Sequence, residues 1–288
     1  MSPTSLFLLL GSACLHVIVH VALKRARDRA AFVWWVLLWC AVIYWPIVAL
    51  VPGDIPPLGC LLILISSIFE ALYFIAIARA YRSGDLSLVY PLARGTAPAL
   101  LLLWSTTILR EPIAIGGVAG VGLIAVGLYV INLHRLADWR EPLRALRQTA
   151  PRWALLAGAG TSLYTAVDKV GVGLVTPLLY TYLALLITML WLTPVTFHEV
   201  GWQGLKHELR SSPLATAVAG FMTLAAYAIV LLTMRMGTPA AYAGAVRECS
   251  VVLAAAYGVF VLKEGGGAMR IAGSVLVAGG VAMIGLFG

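Results

Sequence analysis

Charge is what this sequence has least of. Of its 288 residues only 11% are Asp, Glu, Lys or Arg, while 61% are hydrophobic. A soluble domain is nearer a quarter charged and half apolar, so an ordinary water-soluble fold is excluded. Cysteine is scarce too. Cys14, Cys40, Cys60 and Cys249 lie in apolar runs without CxxC spacing, which points to neither a disulfide framework nor a metal site. Catalytic signatures are missing as well: there is no HExxH, GxSxG or P-loop, and the 5 histidines are scattered. Membrane-embedded enzymes need clustered nucleophiles, bases or metals, so we expect neither enzyme activity nor a cofactor. The net charge of +8 sits mostly in short loops between apolar runs. That placement answers to membrane topology rather than to nucleic acid.

What is present is apolar sequence over the whole length. About 20 apolar residues cross the hydrocarbon as a helix, and ten such stretches can be marked: roughly 4–22, 31–51, 57–80, 86–108, 112–133, 153–174, 177–197, 214–235, 239–261 and 271–287. The first has no basic segment before it, and "KRARDR" follows it, so it reads as a retained span and not a cleaved leader. Each span must satisfy its own backbone hydrogen bonds, and an all-α polytopic bundle follows, with the bilayer as its surroundings.

The basic residues are lopsided. Lys24, Arg25, Arg27 and Arg29 follow span one, Arg82 follows span three, and Arg135, Arg140, Arg144, Arg147 and Arg152 follow span five. Lys206 and Arg210 follow span seven, and Lys263 and Arg270 follow span nine. Cytoplasmic loops carry the excess of Lys and Arg, which places both termini outside, in an inner (cell) membrane. In the linker 135–152, Leu136, Trp139, Leu143 and Leu146 fall at helical spacing, a pattern expected of a short amphipathic helix on the anionic inner leaflet.

Shifting the chain by 153 positions exposes an internal repeat. Between 82–131 and 235–284, twelve of fifty positions are identical without a gap, among them Arg82/Arg235, Gly84/Gly237, Arg94/Arg247, Glu111/Glu264, Gly120/Gly273 and Gly127/Gly280. Apolar composition alone does not align arginines and a glutamate. The chain therefore divides into a first five-span repeat (1–134), the linker (135–152) and a second repeat (153–288). An odd number of spans per copy inverts the second, giving the inverted repeats of secondary transporters, with a site near mid-membrane at the seam. The glycines seven apart mark one close-packing helix face. Glu111 and Glu264 read as boundary charges near the N-termini of spans five and ten.

Arg94 lies about nine residues into span four, roughly 13 Å at 1.5 Å per residue, and Arg247 lies at the matching depth in span nine. A charge there costs about 2.5–3.5 kcal/mol on insertion scales, so each must face a cavity or a partner. Candidate partners are Glu70, Glu248, Asp168 and Lys169. In one reading Glu70 and Glu248 neutralise the arginines in a static network. In the other, Arg94 and Arg247 line a water-filled cavity and meet an anionic group of the substrate. Pro91, Gly95 and Pro98 in span four, and Pro239 and Gly244 in span nine, are expected to weaken the helices at corresponding depths, the best sequence pointer to a transport site. Tyr90 and Tyr242 flank the arginines, and with Tyr73 and Tyr227 they are candidates for an aromatic wall. Coupling or charge-partner candidates are Glu70, Glu248 and the pair His16 and His20, four apart on span one.

"GDLSLVYPLARGTAP", the following "LREP", the glycine-patterned fifth span and their echoes in the second half resemble the drug/metabolite transporter superfamily, specifically its ten-span EamA-domain family. "GVGLIAVGL" is similar to the last helix of the small multidrug resistance proteins. The resemblance implies alternating-access transport of small metabolites or drugs, often as export, around a central cavity. The small multidrug resistance proteins use a glutamate of their first span to bind protons and cationic drugs. Here span one holds only His16 and His20, which turns the expectation from cationic drugs toward anions. Superfamily members that carry phosphate esters or sugar nucleotides use basic residues. The expected function is secondary transport, by export or exchange, of a small anionic or zwitterionic metabolite such as an organophosphate, phosphonate, carboxylate or amino acid. The alternative is a proton-coupled multidrug exporter for apolar cations. A duplicated bundle closes its own cavity, so we expect a monomer or weak homodimer.

Overall fold

In a computed structural model, 1–51, 53–83, 86–131, 133, 135–140, 148–253 and 268–288 are described. The side chains of 81, 83, 86–91 and 136 are not. Among the described residues the chain is helical throughout, with no strand. The helices are α1 (Pro3–Arg25), α2 (Arg29–Val48), α3 (Pro57–Ser83), α4 (Leu86–Thr107), α5 (Ile115–Val130), α6 (Thr149–Leu174), α7 (Pro177–Glu199), α8 (Gly201–Ser211), α9 (Pro213–Arg235), α10 (Ala240–Arg247) and α11 (Ala268–Phe287). Six of them (α1, α2, α3, α7, α9 and α11) are long and apolar enough to cross a membrane by length and composition alone.

Helix α5 is shorter than a full span, and α6 is largely wrapped by protein. Helix α6 buries Ala154, Ala157, Gly158, Gly160, Thr161 and Ser162, so it can tolerate polar side chains. Its small residues let neighbours close in. A Cβ on Gly158 would fall 2.9 Å from the Ala93 carbonyl of α4, and one on Gly160 would fall 3.1 Å from that of Phe69 on α3.

Helices α5 and α11 show how the two copies are related. A Cβ on Gly120 would sit 2.7 Å from the Gly280 carbonyl oxygen, and one on Gly127 would sit 2.7 Å from that of Gly273. The reciprocal distances are 2.5 and 2.6 Å. Position 120 thus faces 280, and 127 faces 273, so the two helices run in opposite directions. Because Gly120 corresponds to Gly273 and Gly127 to Gly280, one two-fold operation exchanges the contacts. The spans form two inverted five-helix repeats.

Two faces close the bundle. On one, the Asp28 carboxylate accepts from Ala30 and Ala31 and caps α2, while the Asp28 amide donates to Glu208 of α8 at 2.9 Å. Arg82 meets Glu199 there at 2.8 Å. Helix α8 was not expected from the sequence, where its residues read as a basic loop. Trp35 Nε1 pins it by donating to the Leu205 carbonyl, and Lys206 lies over the Trp202 ring. In the linker 135–152, Leu136–Arg140 form a 3-10 turn and Thr149 already begins α6. Residues 141–147, which carry the expected amphipathic pattern, lie outside the described residues, as do Lys263 and Glu264. On the opposite face Lys169 reaches Glu111 at 3.3 Å and donates to the carbonyls of Met234 and Thr238.

Two sequence expectations are revised. Helix α4 continues through Gly95 and Pro98. Pro98 gives up its own N–H and crowds the carbonyl of Arg94 one turn before it, and a neighbour-packed helix absorbs both. The interruption falls in span nine instead: α10 ends at Arg247, Glu248 is a turn, and helix resumes over 249–253. Glu111 also caps a different helix from the one expected. Its carboxylate accepts the Ala240 amide at the start of α10, not the entry to α5.

Candidate functional site

Arg94 on α4 and Arg247 at the end of α10 come from opposite repeats and meet on one carboxylate. Arg94 Nη1 donates to Glu248 Oε2 at 2.9 Å, and Arg247 Nη2 lies 3.6 Å from Oε1. Glu248 sits at the local break in span nine, as the C-cap of α10. The position equivalent to Glu248 in the first repeat is Gly95, so the arginines obey the two-fold and the carboxylate does not. The three side chains carry two positive charges and one negative, and the carboxyls of Glu70 and Asp168 lie within Coulombic range of Arg247. Side-chain exposure is graded: 20% for Arg94, 10% for Arg247 and 2% for Glu248.

A crevice opens on this centre, lined by Ala97, Pro98 and Leu101 of α4, Thr161 and Ser162 of α6, and Gly244, Arg247 and Glu248. Its atom-free space, mouth included, is about 180 Å³. The room it leaves for a guest is about that of one water molecule, a contraction around the charges. Close packing explains the contraction: Leu101 packs where a Cβ on Gly244 would stand, 2.4 Å from its Cδ2.

The histidines of α1 join the centre electrostatically. His16 is within Coulombic range of Arg247, Glu248 and Arg94, and His20 within range of both arginines. Their rings are 6.3 Å apart. His16 Nδ1 donates to the Ser12 carbonyl at 3.1 Å, since a carbonyl oxygen can only accept.

Of the tyrosines singled out in the sequence, Tyr73 and Tyr227 belong to one edge-to-face chain. Tyr73 packs against Tyr164 at 6.4 Å between centroids, and Tyr164 against Tyr227 at 6.1 Å. Arg247 lies within Coulombic range of Tyr164 and Tyr227. Tyr164 was not singled out, since a tyrosine in an apolar span carries no directional signal. Tyr242 is placed elsewhere. Its hydroxyl accepts the Ala114 amide at 3.1 Å and fills the space above Gly117, at the entry to α5. The side chain of Tyr90 lies outside the described residues.

Glu70 pairs with neither arginine. It accepts from Thr188 Oγ1 at 2.9 Å, and Asp168 and Arg247 are its charged neighbours. Asp168, wholly buried, accepts from Ser66 and Tyr227. Among the described residues no three His, Cys, Asp or Glu side chains are grouped so as to hold a metal ion.

A sequence model of the EamA-like transporter family matches residues 3–133 and again 149–286. A solved crystal structure, described no further than as that of a protein, is similar over 99% of this chain and 99% of its own, with a TM-score of 0.78 and 15% identity. At that identity the likeness extends to the fold. No curated protein matches in sequence.

Proposed function

The chain belongs to the EamA-like transporter family and is a membrane transporter of small molecules; from that premise we propose that its substrate is a small anionic or zwitterionic metabolite, held by Arg94 and Arg247. The observation that carries this reading is the shared carboxylate. Glu248 engages both guanidiniums from inside the protein, as an internal stand-in for a substrate anion. A phosphate, phosphonate or carboxylate group entering the crevice, which Arg247 and Glu248 line, replaces Glu248 on the guanidiniums and draws the repeats into another arrangement.

The carrier works by alternating access in the inner membrane, as an exporter or exchanger, with the basic face toward the cytoplasm. Arg94→Ala and Arg247→Ala are expected to abolish transport while the protein still inserts and elutes as a folded species. A thermal-shift screen over phosphorylated, carboxylated and cationic metabolites identifies the ligand class. A ligand at a hundred times its Kd adds about 2.7 kcal/mol to apparent stability, and in either arginine variant that shift should vanish. Normal transport by both variants, or stabilisation by cations alone, would overturn the proposal.

A further inference from the structure

Asp168 is a buried carboxylate with no use in the anion site. It sits on α6, six residues or about 9 Å from the helix end, and has 0% of its surface exposed. Ser66 of α3 donates to Oδ1, and Tyr227 of α9 donates to Oδ2. Tyr180 of α7 and Arg247 of α10 also face it, as does Glu70 of α3. On its own helix, Tyr164 is a neighbour, while Lys169 turns away to Glu111 and two carbonyls. Among the described residues no lysine or arginine forms an ion pair with it. Glu70, with Cys40 of α2 facing it, repeats the arrangement with Thr188 as its donor.

The partners decide what each carboxyl can do. A guanidinium only donates, so Glu248 is satisfied solely as a carboxylate. A hydroxyl both donates and accepts. By rotating about one C–O bond, Ser66 or Tyr227 can donate to the Asp168 carboxylate or accept from the carboxylic acid. Asp168 is therefore satisfied in both states within one unchanged frame, even though an unpaired charge in a span is otherwise costly. The hydrogen bond to Ser66 also crosses from the second repeat to the first, where alternating access must shear the bundle.

We propose that Asp168, seated between Ser66 and Tyr227, is the proton-binding site of the transport cycle, with Glu70 and Thr188 as a neighbouring station. One O–H bond forms as a proton arrives from water, and it breaks as the proton returns to water on the other side. Its place in a transport cycle rests on the transport reading above; the binding of the proton does not.

Infrared difference spectroscopy on the full chain in lipid, titrated between acid and alkaline pH without substrate, reads the carboxylic-acid C=O band directly. Asp168→Asn should delete one titrating component and Asp168→Glu should move it, while Glu248→Gln and Arg94→Ala leave it in place. An unchanged band in folded Asp168→Asn would overturn the proposal. Should that variant not fold, Ser66→Ala and Tyr227→Phe, which keep the carboxyl and remove one hydroxyl each, must displace the band; no displacement is equally fatal. Coupling has its own readout. The maleimide reactivity of Ser105→Cys, normalised to unfolded protein, should depend on pH in the parent and not in an Asp168→Asn background. Identical pH responses would refute a role in the cycle. Because Arg94→Ala keeps the band, failure of the anion reading and failure of this one are told apart.

Discussion

A carboxylate held by two guanidiniums inside a bundle is worth more to the fold by its absence than by its presence. Replacing a buried ion pair with apolar groups can be neutral, but deleting one partner strands a charge and costs roughly 3–5 kcal/mol. Glu248→Gln removes the charge that both guanidiniums share. We expect a large fall in the melting midpoint of the detergent-solubilised protein. Glu199→Gln, which breaks the Arg82 pair on a surface where the arginine side chain is 57% exposed, should barely move it, since exposed pairs are worth about 0–1 kcal/mol. Equal shifts would mean that the central pair is hydrated. The arginines were legible in the sequence because a charge at that depth demands an explanation on its own. Their exchange of partners was not. Glu70 and Glu248 look alike in a hydropathy profile, and only the fold gives one to Thr188 and the other to both arginines. The same holds for the tyrosines. Tyr242, five residues before Arg247, is turned to Ala114, whereas Tyr164, far away in sequence, stands beside Arg247.

Among the helices, the crossing of α5 and α11 is the clearest case of sequence becoming packing. The glycines that repeat at seven residues face a backbone, and a backbone cannot step aside. A Cβ on Gly280 would lie 2.5 Å from the Gly120 carbonyl oxygen, while one on Gly279 meets nothing within 4 Å. Gly280→Ala should therefore destabilise by about 1–3 kcal/mol through overpacking. Gly279→Ala should be neutral or gain a few tenths from helix propensity. Thermal melting of the two single variants, one residue apart, checks this, and a loss in Gly279→Ala as large as in Gly280→Ala would contradict it. Other elements were harder to read. Prolines in span four suggested a break, but a helix with neighbours on both sides keeps its course. The break arises in span nine at Glu248, where no proline marks it. Helix α8 escaped notice although Trp202, Leu205 and Leu209 fall at helical spacing, because 11 residues are too few to register as a span.

On the face poor in basic residues the two repeats are tied together by polar contacts. Lys169 of the second repeat grips Glu111 of the first, and Glu111 in turn caps α10 by accepting the Ala240 amide. One turn deeper, the Ala241 amide donates to Ser105 Oγ at 3.0 Å, and Ser105 is wholly buried. Charge asymmetry between loops told the two faces apart in the sequence. The latch itself joins residues 58 apart through a tertiary contact that no local pattern announces. If alternating access moves the repeats against each other here, the latch must break first, and weakening it must favour the open form. Lys169→Met removes the cation and its three partners while keeping the length of the stem. A shift of one or two kcal/mol changes a two-state ratio by about 5–30-fold. With the native cysteines replaced, Ser105→Cys should react with an impermeant maleimide faster by about that factor in the Lys169→Met background, and only from the face that carries Glu111. A reaction rate unchanged by Lys169→Met would show that this face opens without releasing the latch, and acceleration from the basic face would place the moving seam on the other side of the arginines.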